Sequence, residues 1–144
     1  NEKIRVKIKP GAYDGLKLRI KGKGQMGTRG KSGNLYLTLR VKPHPVFKRT
    51  GDDLQMEISV DLFSAILGGK QEVKTLSRTV NISIPPGTQN GKLLRLKGKG
   101  MPIYGKPGYG DLLIKLNVPI PDRLTQDQKE LVIKLRDSFR KHHV

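Results

Sequence analysis

The chain has 144 residues, with 29 Lys and Arg against 12 Asp and Glu for a formal charge of +17, and no cysteine. This composition excludes disulfide and cysteine-ligated zinc frameworks, and no apolar run is long enough to cross a membrane as a helix. The length allows one domain or two small ones, and a domain of about 60 to 70 residues buries only ~60% of its unfolded surface, so each core must be thin.

Ile4, Val6 and Ile8 alternate with Arg5, Lys7 and Lys9, the period of a half-buried strand. A Pro10-Gly11 turn follows, then a second strand around Leu18 and Ile20, a long glycine-rich loop, and a third strand through Leu35, Leu37, Leu39 and Val41. The stretch "KPHPVFKRTGDD", Lys42 to Asp53, carries two prolines and a Gly-Asp turn and reads as a linker. Beyond it Leu54, Met56, Ile58 and Val60 alternate as another strand. "DLFSAILGG" then sets Leu62, Phe63, Ile66 and Leu67 at helical spacing before Gly68-Gly69, a short helix with a glycine stop. "KQEVKTL" is a further strand, ending near Leu76.

After that the chain repeats itself. "GLKLRIKGKGQMGTRGKSGNLYLTL", from Gly15, returns as "GKLLRLKGKGMPIYGKPGYGDLLIKL", from Gly91. Pro10 falls on Pro86, an offset of 76, and one residue gained in the glycine loop makes it 77 where Leu35 meets Leu112. Ile4, Val6 and Ile8 fall on Val80, Ile82 and Ile84; Leu18 and Ile20 on Leu94 and Leu96; Leu37, Leu39 and Val41 on Ile114, Leu116 and Val118. A repeat this long is a domain duplication and not a solenoid unit. The expected architecture is therefore mainly β: two tandem, similar, small sandwich or barrel domains at residues 1–50 and 51–122, with short helices and a C-terminal helix at 123–144. The segment Asp53 to Ser77 has no counterpart in the first copy. The duplication predicts that this front half of the first domain lay upstream of Asn1, where the chain reads as a fragment.

The tail "LTQDQKELVIKLRDSF" opens with Thr125 and Gln128 in capping-box positions, and Leu131, Val132, Leu135 and Phe139 recur on one helical stripe. Lys134, Arg136, Arg140 and Lys141 suit the C-terminal end of its dipole. The stripe either packs on its own domain or meets its copy in a second chain, twofold pairing being the commonest symmetry available.

The basic residues admit two readings. Lys17, Arg19, Lys21, Lys23, Arg95, Lys97 and Lys99 alternate with apolar strand positions and so form a solvated sheet face. Alternatively, Lys21, Lys23, Lys97 and Lys99 contribute to a field that attracts polyanions. The scarcity of aromatic residues argues against base stacking, leaving sequence-independent phosphate contact.

Catalytic signals fail on inspection. In "GQMGTRGKS" the glycines are wrongly spaced for a P-loop and a strand follows where a helix should. His44 sits in the linker, and the adjacent His142 and His143 lack organised carboxylates, a poor metal site. Ser, His and Asp occur without any arrangement as a triad. No enzyme, metal or cofactor is expected.

At this point the residues carry a resemblance. "IKPGAYDGLKLRIKGKG", "GNLYLTLRVKPHPVFKRTGDDL", "VDLFSAILGGKQEVKTL", "IPPGTQNGKLLRLKGKGMP" and "GDLLIKLNVPIP" resemble, in collinear order, the C-terminal half of the DnaJ family of J-domain co-chaperones. The resemblance implies two β-sandwich substrate-binding domains and a dimerisation helix, which places Leu131, Val132, Leu135 and Phe139 at a homodimer contact. It implies capture of unfolded client polypeptides and their delivery to the heat-shock-seventy chaperone through a J domain absent from this sequence. Leu37 matches a pocket-facing position of the peptide groove, with Leu35 and Leu39 on the same face. By duplication the second hollow would use Leu54, Met56, Ile58, Phe63 and Val73, and each of the eight is either groove or plain core. The charge leans toward the zinc-free branch similar to the curved-DNA-binding protein A, which adds DNA binding and a nucleoid-associated location to a cytoplasmic one. The zinc module, where present, sits just upstream of the position of Asn1, so the lack of cysteine does not decide the branch.

Overall fold

The computed structural model describes residues 3–22 and 33–142. Eight strands and two helices follow in the order β1 Lys17–Ile20, β2 Leu35–Thr38, β3 Lys48–Thr50, β4 Asp53–Ser59, α1 Leu62–Leu67, β5 Gly69–Lys74, β6 Thr79–Ile84, β7 Leu93–Leu96, β8 Leu112–Asn117 and α2 Gln126–His142. The protein is mainly β, as the alternating apolar pattern requires.

The second copy of the repeat builds the larger unit. β3, β4, β8 and β7 form a four-stranded sheet in that order, and β5 pairs with β6 as a two-stranded one. Leu54, Met56 and Val60 from β4 and its end, Ala65 from α1, Val73 from β5, Ile82 and Ile84 from β6, and Leu112, Ile114 and Leu116 from β8 share one buried cluster. The three β8 residues are fully shielded, at 0% exposure. Their period of two puts them on one face, which β4 extends by running parallel beside β8, with Leu54, Met56 and Ile58 opposite Leu112, Ile114 and Leu116, and which the β5–β6 sheet and Ala65 close. A parallel neighbour needs a crossover connection, and here the crossover carries α1, β5, β6 and β7.

The first copy reproduces the hairpin of the second in register. Leu18 stands opposite Leu37 and Ile20 opposite Leu35, as Leu94 stands opposite Ile114 and Leu96 opposite Leu112. The ends of the two hairpins match as well. Gly15 N–H donates to Leu39 O at 2.8 Å, and Gly91 N–H to Leu116 O at 2.7 Å, both glycines at φ +87°. Val41 N–H donates to Asp14 Oδ1 at 2.9 Å and Val118 N–H to Asn90 Oδ1 at 2.8 Å. The duplication is therefore one of backbone geometry as well as of letters.

Two expectations are corrected. Residues 3–9 form no strand, and Ile4 and Ile8 are exposed. Their equivalents in β6 are held by β5, whereas among the described residues nothing pairs with 3–9, and an isolated strand has no partner for its backbone groups. The linker Lys42 to Asp53 contains β3, which pairs with β4 through a turn at Gly51. Helix α1 forms where expected, with Asp61 Oδ2 accepting from Phe63 N–H and Ser64 N–H and Gly68 closing it. It buries Ala65, however, and leaves Phe63, Ile66 and Leu67 54%, 48% and 74% exposed. Ala65 is the residue small enough for the backbone of 85–88 to approach, with Thr88 N–H bonded to Ala65 O and Gly87 N–H to Ile66 O.

Candidate functional site

α2 is set up by its first turn. Thr125 N–H donates to Gln128 Oε1 at 2.8 Å and Gln128 N–H to Thr125 Oγ1 at 3.2 Å, the reciprocal pair of a capping box. The helix then runs 17 residues, about 25 Å. Residues 121–141 are all exposed, Leu131, Val132, Leu135 and Phe139 among them. A stripe of this kind ordinarily faces a core, and this one faces outward from its own chain.

A second apolar surface is the face of the β1–β2 hairpin. Leu35, Leu37 and Leu39 lie on it with Leu18 and Ile20, all half-buried. Their counterparts Leu112, Ile114 and Leu116 are sealed by β4 and by the β5–β6 sheet. The same residue pattern is thus closed in one copy and partly open in the other, because elements equivalent to β4, α1 and β5 are lacking among the described residues of the first copy.

The residues expected around a second hollow separate. Leu54, Met56 and Val73 are 3%, 8% and 2% exposed and belong to the buried cluster. Ile58 is half-buried against the same cluster. Phe63 alone of this set faces solvent, beside Ile66 and Leu67 on α1.

Arg49 lies at the junction between the copies. Arg49 donates from Nη1 to Ala12 O at 2.7 Å, from Nη2 to Gly11 O at 2.8 Å and from Nε to Gly51 O at 2.7 Å. One side chain thereby ties the first Pro-Gly turn to the β3–β4 turn. Tyr13 and Tyr104 meet edge to face at 5.9 Å. Beside them lies a groove of about 950 Å³ lined by Tyr13, Val41, Phe47, Leu76 and Met101 among others. No sequence signal marks these residues, since each finds its partner only through the fold. His44 has a local task here: its Nδ1 accepts from Val46 N–H and Phe47 N–H at 3.0 and 3.2 Å, which shapes the turn into β3.

Electrostatics concentrate at one carboxylate. Asp111 accepts from Gly98 N–H at 3.0 Å and from Arg95 Nη1 at 2.7 Å. The backbone hydrogen bond first, and the Arg95 guanidinium after it, hold its carboxyl below the usual carboxylate range. Lys21 and Lys97 are exposed, Lys99 is half-buried, and Lys23 lies outside the described residues. Among the described residues no group of three His, Cys, Asp or Glu is placed to hold a metal, and no helix is long and apolar enough to cross a membrane.

These features define a class: a β-rich, internally duplicated chain that presents apolar surface on a hairpin and on a terminal amphipathic helix. Comparison with known proteins makes the class specific. The family described as DnaJ C terminal domain matches residues 1–121, and the chain belongs to that family. It is 44% identical over 142 residues to a Chaperone protein DnaJ of Thermoplasma acidophilum, covering 99% of this chain and 39% of that protein. It is 41% identical over 131 residues to the Chaperone protein DnaJ of Caldicellulosiruptor bescii, covering 90% and 34%. The Brucella anthropi Chaperone protein DnaJ is 44% identical over 131 residues, covering 90% and 35%. The chain thus spans about a third of the length of the curated relatives it matches. The family match ends before α2 begins, and nothing in the comparisons favours a DNA-binding role.

Proposed function

We propose that this chain is the polypeptide-binding and pairing region of a co-chaperone, which holds unfolded client segments and passes them to a heat-shock-seventy chaperone in the cytoplasm. The observation that carries the reading is the apolar stripe of α2, exposed along Leu131, Val132 and Leu135. A second copy of the same helix is the partner that suits such a stripe, in a twofold contact where each surface meets itself. The half-open leucine face of the first hairpin and Phe63 on α1 supply client contacts. A short apolar segment covering a few hundred Å² of such surface gains several kcal/mol at roughly 25 cal/mol per Å², before ordering costs. Single contacts are therefore weak and permissive. Pairing converts them into a clamp, because a client held at one site meets the next at high effective concentration.

Sedimentation equilibrium of the wild type beside Leu135→Asp tests the reading, together with suppression of aggregation of a denatured client. The expected result is a wild-type dimer that the substitution splits, with poorer suppression by the monomer. A wild-type monomer, or a dimer indifferent to the substitution, would remove α2 from the interface and the clamp with it.

A further inference from the structure

Of the five asparagines in the chain, Asn1, Asn34, Asn81 and Asn117 precede Glu, Leu, Ile and Val, and only Asn90 precedes glycine. With no side chain on the following residue, the amide nitrogen of Gly91 has an unhindered approach to the Asn90 side-chain carbonyl carbon. We propose that Asn90-Gly91 is a spontaneous deamidation site whose chemistry is gated by folding. In the reaction Gly91 N bonds to Asn90 Cγ, its proton is lost, and the Cγ–Nδ2 bond breaks to release ammonia, leaving a cyclic succinimide. Water then opens the ring at one carbonyl or the other, giving aspartate or isoaspartate. No oxidant or cofactor takes part.

The folded hairpin ties down both reacting groups. Gly91 N–H is committed to Leu116 O at 2.7 Å, and Asn90 Oδ1 accepts from Val118 N–H at 2.8 Å, which ties the side-chain amide to the end of β8. Ring closure requires both bonds to open, so the rate follows the fraction of chains in which this end of the β7–β8 ladder is unfolded. The modification thereby records time spent open.

The first copy predicts what each product does. At the equivalent turn the pair is Asp14-Gly15, and Asp14 Oδ1 accepts from Val41 N–H at 2.9 Å while Gly15 N–H donates to Leu39 O at 2.8 Å. Both Gly15 and Gly91 stand at φ +87°. Aspartate at position 90 therefore fits a geometry this chain already uses. Isoaspartate does not, because it routes the main chain through the former side chain, adds one backbone carbon and displaces Gly91 N–H from Leu116 O.

The test is peptide mapping by mass spectrometry of the whole chain, aged at neutral pH either native or in denaturing urea, with Asn90→Asp as a folded reference. Conversion at Asn90 should be at least about tenfold faster in urea, as expected for a site whose opening costs 1.4 kcal/mol or more. The Asn90→Asp chain should unfold in urea at a midpoint near the wild type. Equal rates in the two conditions would overturn the gating, and an inert Asn90 in urea would overturn the site. An Asn90→Asp chain that fails to fold would overturn the equivalence with Asp14.

Discussion

Asp111 is the residue at which sequence, geometry and titration meet. It immediately precedes β8, accepts from Gly98 and Arg95 through its side chain, and receives support from Asp53, whose Oδ1 accepts the Asp111 N–H at 2.7 Å. Its pKa is lowered in the folded chain, so the unfolded chain binds the proton more readily. Its contribution to stability is thus present above the unfolded value, about 3.9, and is lost as pH falls through the lower folded value. Urea midpoints measured at about pH 6 and about pH 3 should fall with acid in the wild type, and Asp111→Asn should show a smaller fall. Close packing next to it gives a second test. A Cβ on Gly110 would collide with Asp52 O, a backbone atom that already accepts from Met101 N–H. Gly110→Ala should cost about 1 to 3 kcal/mol in chemical denaturation, the usual penalty for overpacking. Of these features the sequence made the glycines visible, but not the reason for Gly110, because Asp52 lies far away along the chain.

At the scale of elements, the helices and the strands of the second copy follow from local pattern. The capping box of α2, the glycine stop of α1, and the period-two runs of β4, β6 and β8 all appear where their residues call for them. Two elements obey a different rule. Residues 4–8 have the same alternation as β6 and form no strand, since a strand requires a neighbour as well as a pattern. β3 has almost no apolar pattern and is a strand because β4 is beside it. α2 poses the reverse problem. A 17-residue helix is close to the length at which isolated helices are marginal in water, so its order should depend on pairing. Far-UV circular dichroism should show helix content that falls on dilution, and Leu135→Asp should show the diluted value at every concentration. A concentration-independent helix signal that the substitution leaves untouched would mean that α2 stands by its own capping and propensity.

At the scale of the molecule, the Arg49 fork is a specific tie between the two copies. Its two terminal nitrogens reach across to the carbonyls of Gly11 and Ala12, and charged hydrogen bonds of this kind contribute about 1.5 to 3 kcal/mol where partly buried. Arg49→Ala should therefore loosen the first hairpin selectively. Hydrogen exchange at the Leu39 amide should quicken by about tenfold or more, while its equivalent at Leu116, bonded in the same way to Lys92 O, stays protected. Equal loss at both amides would mean that Arg49 stabilises the second copy and leaves the junction unaffected. The candidate site is dispersed at this scale. Leu131, Val132 and Leu135 were legible as a stripe, whereas the groove beside Tyr13, Phe47 and Leu76 was not.

What the sequence determined by itself is what local chemistry controls: the duplication and its offsets, the mainly β composition of elements, the helix start at Thr125, and membership of the family through collinear motifs. Those properties depend on residues near one another in the chain, whose spacing fixes which backbone bonds and which faces are available. Only the tertiary structure decided which apolar faces close. Leu37 and Ile114 occupy equivalent places in equivalent hairpins, yet one is half-open and the other fully buried. The difference arises because burial belongs to whatever packs against a face: Val73, Ile82 and Ile84 of the β5–β6 sheet and Ala65 of α1 share one cluster with the β8 residues, and among the described residues the first hairpin has no such layer.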